Sequence, residues 1–506
     1  MKEMEKKLMI NEIATFCKKK GFIFPSSEIY GGLSGFFDYG PLGVELKNNL
    51  KQLWWKAHVH EREDIVGMDG SIILNPRVWV ASGHAEHFED VLVECKKCHQ
   101  RFRADQLIEE KTGENVDGKS PEELHELIVA KGIKCPNCGG ELSEPKSFNL
   151  MFKTYVGPKQ TKENVAYLRP ETAQSIFTEV KNIMEVSRKK LPFGIAQIGK
   201  SFRNEISPRN FLFRSREFEQ AEIEYFINEK DLNNCPYFNE VENYKMLALT
   251  EDMQKRGNKE KEMSVKELVN KGVIKSKWQA YWISFEHKFL VRVGLKPEHL
   301  RIRQHLSIER AHYSLDTWDI EYKFPFGWKE IEGVSNRTTF DIKNHMKESK
   351  KDLRVFDEKY KEKTIPYVVS EPSLGIDRLF LAVLFEAYEN NEKRGNIVLK
   401  LKPFLSPIKA AVLPLVSNKE ELMKKAREVY NSLKKDFNVV FDKSGSIGRR
   451  YAREDEIGTP FCITIDFDSL KNNDATIRFR DSTEQERVAI KEIRDKITSL
   501  IRNDKC

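Results

Sequence analysis

Two short stretches of the chain alternate charged and aromatic positions with the period of a strand. Phe202-Arg203-Asn204-Glu205 and, after seven residues, Phe213-Arg214-Ser215-Arg216-Glu217-Phe218-Glu219-Gln220-Ala221-Glu222 read as two halves of a hairpin, with Ser207-Pro208-Arg209-Asn210 as the turn. Period 2 places Arg203 and Glu205 on one face of the first half, and Arg214, Arg216, Phe218, Gln220 and Glu222 on one face of the second. A helical apolar stripe runs through 41–58, ahead of a strand-like stretch at 71–76 that ends in Pro76. Residues 371–384 pass from a Gly/Pro turn into an apolar helix. Toward the C-terminus, a strand at 409–416, a helix at 419–437, strands at 439–441, 461–466 and 476–480, and a final helix at 483–502 alternate as a mixed sheet requires. Composition breaks divide the chain into core segments 1–90, 146–230 and 301–402, a cysteine-bearing insertion at 91–145, a helical insertion at 231–300 and a C-terminal unit at 403–506. In the helical insertion the Lys/Glu-rich stretch 251–277 reads as a solvated face.

With 506 residues, 40% hydrophobic and 32% charged, the chain is long enough for two or three globular units. No apolar run reaches 18 residues, and the charged amphipathic start lacks a signal-peptide core, so the expectation is a soluble, cytoplasmic protein without membrane partners. The net charge of +7 is too small to establish nucleic-acid binding. The segment 401–506 carries 21 Lys/Arg against 17 Asp/Glu, which is compatible with RNA contact and no more.

Four of the eight cysteines form Cys95-x-x-Cys98 and Cys135-x-x-Cys138. Paired knuckles of this kind suit tetrahedral thiolate coordination of a structural zinc, although the 36 residues between them exceed the usual ribbon spacing. Those residues read as a helix at 103–110 and another at 121–130, the second with Ser120 as cap, Pro121 at its first position and Glu123 closing a capping box. Cys17, Cys235, Cys462 and Cys506 follow no spacing pattern. His84-Ala85-Glu86-His87 has its glutamate misplaced for a metalloprotease helix and is set aside.

Cations, carboxylates and an aromatic lined up on a hairpin make poor core. A guanidinium is a planar, permanently charged fork suited to phosphate oxygens, and an aromatic face stacks on a base, so Arg203 beside Phe218 reads as a nucleotide clamp. The plain alternative is a solvated hairpin. Gly375, at the turn into the apolar helix, lets backbone approach a ligand closely.

The pattern Phe-Arg-x-Glu, loop, Arg-x-x-x-Phe-x-x-x-Glu resembles motif 2 of class II aminoacyl-tRNA synthetases. Glu371-Pro372-Ser373-Leu374-Gly375-Ile376-Asp377-Arg378 resembles motif 3, and 41–58 with 71–76 the looser motif 1. Further stretches resemble one branch, the dimeric glycyl-tRNA synthetases of archaeal and eukaryotic type. They are Asp38-Tyr39-Gly40-Pro41-Leu42-Gly43, Ala81-Ser82-Gly83-His84, Arg169-Pro170-Glu171-Thr172-Ala173-Gln174, Ala311-His312-Tyr313-Ser314, Trp318-Asp319-Ile320-Glu321, Lys329-Glu330-Ile331-Glu332-Gly333, Asn336-Arg337-Thr338 and Gly448-Arg449-Arg450-Tyr451-Ala452-Arg453. The resemblance covers nearly the whole chain.

It implies an α+β fold: an antiparallel-sheet core flanked by helices, with a C-terminal mixed α/β anticodon-binding domain. It implies a homodimer with motif 1 at the interface, and ATP, Mg²⁺, glycine and tRNA(Gly) as partners. Arg203 and Arg378 are the implied catalytic residues. Arg203 holds the α-phosphate of ATP and the amino-acid carboxylate, Glu205 meets the adenine amine side, Phe218 stacks on the ring, and Arg378 covers its other face and reaches the γ-phosphate. ATP contacts extend by resemblance over 203–205, 213–218, Glu330, Ile331 and 375–378. The ammonium of glycine falls to Glu171, Glu371 and Ser373 with Glu222 nearby, its carboxylate to Arg337. Arg103, 218–222 and 371–375 line the same pocket, and Arg449, Arg450 and Arg453 meet tRNA. Glu171 after Pro170 is also good first-turn helix chemistry. Glycine offers no side chain to grip, so selection rests on carboxylates around its ammonium and walls that reject a methyl, a step of roughly 1–3 kcal/mol. A synthetase for proline, threonine or serine, and a non-catalytic relative that binds RNA or protein, remain open at this level.

Overall fold

The computed structural model describes residues 2–114, 116, 119–310 and 314–503; the side chains of 2–8 and 503, the Ala311-His312-Tyr313 stretch and Cys506 lie outside the described residues. Its centre is a nine-stranded sheet. In chain order the strands are β1 (Ile65–Gly67), β2 (Phe193–Phe202), β3 (Glu217–Ile227), β4 (Lys245–Leu249), β5 (Lys261–Ser264), β6 (Leu300–Gln304), β7 (Asp316–Phe324), β8 (Gly327–Asn336) and β9 (Tyr367–Gly375). Across the sheet they run β5-β4-β6-β7-β8-β9-β3-β2-β1. All neighbours are antiparallel except β1 with β2 and β4 with β6.

Period 2 sorts the side chains of β3. Ala221, Ile223 and Tyr225 point into the main core with Leu46, Leu50 and Trp54 of helix α1 (Pro41–Trp55) and with helix α5 (Ile376–Ala387). Tyr225 packs 5.2 Å and 5.1 Å from the rings of Trp278 and Trp282. Those two tryptophans belong to the intervening helix α3 (Lys277–Val293). The other face is covered at one end by helices α2 (Ala173–Ser187) and α4 (Phe340–Ser349), whose Ile176, Phe177 and Ile342 pack on Phe193 and Ile195 of β2. Glu222 and Glu224 of β3 lie buried on this second face.

The segment expected to be a helical insertion at 231–300 is part of this sheet instead. It supplies the edge strand β5 and its neighbour β4, and α3 is a core helix rather than an appended one. The apolar run Met246-Leu247-Ala248-Leu249 is short and stands just before the Lys/Glu-rich 251–277, and the aromatic run of α3 lies just beyond that stretch.

The cysteine insertion forms its own small core. Strands Glu89–Glu94, Arg101–Arg103 and Lys146–Asn149 make a three-stranded sheet, backed by helices Ala104–Thr112 and Pro121–Ala130. The Ser120/Glu123 capping box is present. Arg103 ends a strand and is not inside the first helix.

The C-terminal unit is a five-stranded mixed sheet. Its strands are β10 (Ala410–Pro414), β11 (Val439–Phe441), β12 (Phe461–Ile465), β13 (Asp474–Phe479) and β14 (Gln485–Ala489), in the order β11-β10-β12-β13-β14. Helices Glu420–Leu433, Ile447–Ile457 and Ile493–Asn503 accompany them. β14 stands where a continuous helix from 483 was expected. As a charged edge strand with one buried side chain, Val488, it carries almost none of the apolar signal of a strand. Among the described residues no helix is long and apolar enough to cross a membrane.

Candidate active site

The hairpin of β2 and β3 brings the first set of expected residues together. Arg203, Glu205, Phe213, Arg214, Ser215, Phe218, Glu219, Gln220, Glu330, Ile331, Ser373, Gly375, Asp377 and Arg378 line one cavity of ≈ 120 Å³, with Leu212 beside them. The Arg203 guanidinium lies 5.2 Å from the centre of the Phe218 ring, and its Nε donates to the carbonyl of Pro170 at 3.2 Å. Arg378 lies 4.6 Å from the Phe213 ring and donates to Glu330 Oε2 at 2.9 Å. Burial opposes ionisation of Glu330, but the charge and hydrogen bond of Arg378 outweigh it and hold its carboxyl below the usual range. Two guanidiniums with aromatic partners thus flank a space lined by further carboxylates.

A register shift between Ile320 and Glu321 sets Glu330 opposite Glu321 and Glu332 opposite Ile320. In an unbroken strand residues two apart share a face; this bulge separates the two glutamates. Glu330 meets Arg378. Glu332 is fully buried, and burial followed by the charge of Glu286 on α3 pushes its carboxyl far up.

Other expected nucleotide residues are engaged elsewhere. Asn204, Arg216, Glu217 and Ile376 do not line the cavity. Arg216 donates to the carbonyls of Glu205 and Ser34, Glu217 pairs with Lys200 at 2.7 Å, and Ile376 is core. Asp377 reaches the cavity wall, but its oxygens take Tyr39 Oη, Lys47 Nζ at 2.9 Å and the Glu219 backbone N–H at 2.6 Å. Lys47 also pairs with Glu219 at 3.0 Å, so this buried group ties α1 to α5 and β3.

Beyond Gln220 and Ser373 the cavity wall gives way to a buried carboxylate cluster. Ser373 Oγ donates to Glu222 Oε1 at 2.6 Å, and Gln220 Nε2 to the same oxygen at 2.9 Å. The other Glu222 oxygen accepts from the backbone N–H of Thr172 at 2.9 Å and from the Thr172 hydroxyl. Glu171 lies 3.4 Å from His84 Nε2 and 3.6 Å from Arg337 Nη2, and accepts from Gln174 at 2.8 Å. Glu371 receives Arg337 Nη1 at 2.6 Å. Burial penalises ionisation in all three. In Glu171 the charges of His84 and Arg337 overcome that penalty and hold the carboxyl well below its usual value. Glu222 is pushed up by burial and by Glu171. Glu371 is pushed up to about 8 by burial, against the pull of Arg337 and with the help of Glu222 and Glu171. The cluster gathers more carboxyl groups than cations, which is the chemistry of an ammonium site.

Arg337 itself is corrected from its expected place. It is 1% exposed, and its guanidinium is committed to Glu371 and to Asp341 at 2.8 Å and 2.9 Å. That leaves it holding carboxylates rather than facing a ligand carboxylate. Ala221 and Leu374, opposite each other in register, point into the core on the far face. Arg103 lies outside that first cavity, in an adjoining cleft that also contains Arg209, Arg214 and Arg378, and binds Asp90 at 2.8 Å and Asp105.

Sequence reading missed His84, Asp341, Thr172 and Asp90. The first and third lay inside quoted stretches, but nothing in one dimension puts His84 beside Glu171 or Thr172 beside Glu222. Arg169 was missed as well. Its guanidinium donates to the carbonyls of Lys200 at 2.7 Å and Gly70 at 2.8 Å, pinning the segment that carries Glu171. A Cβ on Gly199 would come within 2.1 Å of it.

The four cysteines converge. Sγ atoms of Cys95, Cys98, Cys135 and Cys138 all lie within 4.8 Å of one another, with Cys95–Cys138 at 3.4 Å and Cys98–Cys135 at 3.6 Å. Thiolates on a tetrahedral zinc at ~2.3 Å stand roughly 3.8 Å apart, so the set fits the ion. A Cβ on Gly140 would lie 3.0 Å from Cys95 Sγ and 3.3 Å from Cys138 Sγ. In the C-terminal unit Arg449 and Arg453 are exposed, whereas Arg450 is 1% exposed and donates to the carbonyls of Pro414, Asp442 and Leu415. Its expected contact with tRNA is therefore replaced by a structural role.

Comparison with known proteins identifies the two units that carry these residues. Residues 152–388 match the family model described as tRNA synthetase class II core domain (G, H, P, S and T), and 409–500 match the anticodon binding domain. Glycine–tRNA ligases of Caldanaerobacter subterraneus subsp. tengcongensis, Clostridium beijerinckii and Acetivibrio thermocellus are each 46% identical over 97% of this chain and 98% of theirs. A solved prolyl-tRNA synthetase from Cryptosporidium parvum, complexed with halofuginone and AMPPNP, shares the fold with a TM-score of 0.56 at 13% identity, over 97% of this chain and 75% of that one. The chain belongs to the glycine–tRNA ligase family, and it is an ATP-dependent ligase built on a class II aminoacyl-tRNA synthetase core with an anticodon-binding domain.

Proposed function

We propose that ATP lies between the two stacked arginines and glycine in the carboxylate cluster beside them, so that both substrates meet at Arg203. The observation that carries this reading is the junction itself: Gln220 and Ser373 line the nucleotide cavity and also hydrogen-bond Glu222. The glycine carboxylate attacks the α-phosphorus of ATP in line, the P–O bond to pyrophosphate breaks, and glycyl-adenylate forms. A ribose hydroxyl at the 3′ end of tRNA(Gly) then takes the glycyl group and AMP leaves. No side-chain nucleophile is needed; the barrier lies in gathering anions and building charge on phosphorus, which Arg203, Arg214 and Arg378 offset.

Glu171, Glu222 and Glu371 receive the ammonium. Arg337 acts by holding Glu171 and Glu371 in place, and the carboxylate of glycine falls to Arg203. Mg²⁺ bound with ATP would add positive charge at the phosphates, with Glu330 on the cavity wall able to help hold it. The four cysteines hold a structural zinc; with four thiolates it has no open position for chemistry. Free thiols and a tRNA substrate suit the cytoplasm. A homodimer through the motif 1 region is supported by Ile72 and Ile73 within it and Val80 just after it, which stay 38%, 43% and 47% exposed. The test is ATP–pyrophosphate exchange with glycine against alanine, serine, threonine and proline. Exchange driven by glycine alone is expected; exchange driven equally by another amino acid would overturn the reading.

A further inference from the structure

The cysteine insertion touches the nucleotide-site machinery through Asp90. This residue, second in strand Glu89–Glu94, has a carboxylate oxygen 2.8 Å from Arg103 Nη1 and 3.5 Å from Arg214 Nη2. Arg214 is held from the other side by Glu205, which accepts from its Nε at 2.7 Å. Its guanidinium, 17% exposed and on the wall of the nucleotide cavity, is thus fixed between one carboxylate of the hairpin and one of the insertion.

Both insertion residues are wired to the cysteine knuckles by paired backbone. The strand bearing Asp90 runs directly into Cys95, and Arg103 ends the strand that follows Cys98. The two strands are in register, Glu94 opposite Arg101 and Leu92 opposite Arg103. On its other side Asp90 is paired with Phe148. A carboxylate held this firmly sets the plane of the guanidinium it binds, as outer residues do for ligand-bearing groups elsewhere.

We propose that Asp90 is a positioning residue for adenylate formation, holding Arg214 against the phosphate chain of ATP and, with Arg103, making the first chemical step depend on the folded cysteine insertion. This rests on the reading of Arg214 as phosphate-facing. Asp90 touches neither substrate; it acts through Arg214.

The test compares Asp90→Asn, Asp90→Glu, Arg214→Ala and the Asp90→Asn/Arg214→Ala double variant in glycine-dependent exchange, with full-length protein. Asp90→Asn is expected to lower kcat about tenfold or more, because misplacing a charge-stabilising group is costly, while the KM for glycine stays constant. Asp90→Glu should recover most of the loss. In the Arg214→Ala background Asp90→Asn should cost nothing further, since residues acting through one contact are not additive. Melting temperature and zinc content, measured on each variant, identify a variant that has lost its fold; Arg103→Gln, which removes the other partner of Asp90, then serves in its place with the same expected pattern. Normal exchange in Asp90→Asn, or equal losses in both backgrounds, overturns the proposal while leaving the role of Arg214 intact. Normal exchange in Arg214→Ala overturns both.

Discussion

Glu171, Glu222 and Glu371 are close enough to share charge, yet burial and neighbours drive them apart: one well below the usual carboxyl range, two above it. Glu171 is the member whose neighbours favour the ionised form, so replacing it with Gln removes negative charge where an ammonium must lie. Glu171→Gln is expected to raise the KM for glycine by at least tenfold, the effect of losing one charge-assisted hydrogen bond of about 1.5–3 kcal/mol. The KM for ATP should hold, and alanine activity should not appear, because the walls are untouched. Steady-state exchange at varied glycine checks this. Glu371 gives a pH signature. With its carboxyl pushed up to about 8, the empty site holds a proton below that pH. An arriving ammonium favours the ionised form, so glycine binding near pH 7 should release a proton, and the release should vanish well above pH 8. Calorimetry in two buffers of different ionisation enthalpy measures it, and Glu371→Gln should abolish it. At this scale the clamp of Arg203 on Phe218 was legible, because strand period and residue chemistry coincide. The fate of Arg337 was not: whether a guanidinium faces substrate or its own carboxylates depends on Asp341, four residues on, being buried beside it.

Secondary structure near the site was legible where local chemistry decides it. Ser120, Pro121 and Glu123 announce a helix start, and it is there. What local chemistry does not decide was missed, such as the bulge in β8 that parts Glu330 from Glu332, which depends on the pairing with β7. The insertion carries a test of its own. Gly140 sits where a Cβ would press on two cysteine sulfurs, so Gly140→Ala is expected to lose metal more readily than the parent under the same chelator. Elemental analysis checks the occupancy. Hydrogen exchange over Glu89–Glu94 should rise as the metal leaves, while exchange over β3 should not.

The whole chain joins a catalytic sheet to a C-terminal unit through Arg480, whose guanidinium donates to the carbonyls of Leu401 at 2.7 Å and Gly458 at 2.8 Å. The C-terminal arginines therefore divide into kinds that sequence could not tell apart. Arg449 and Arg453 are exposed; Arg450 is built into its domain. Arg449→Glu is expected to lower tRNA charging and leave glycine-dependent exchange unchanged, whereas Arg450→Ala should lower the melting temperature, as loss of buried donors to three carbonyls implies. Charging, exchange and thermal unfolding on the same preparations separate the two. A class II core followed by a C-terminal anticodon-binding unit was legible in the motifs and the alternating elements after Pro403. That 231–300 completes the sheet was not, since a strand of five residues amid Lys and Glu leaves little trace. The double duty of Gln220 and Ser373 bears, finally, on drug resistance. An inhibitor spanning the adenine and amino-acid positions would lean on side chains that the enzyme cannot exchange without loosening its hold on its own substrate.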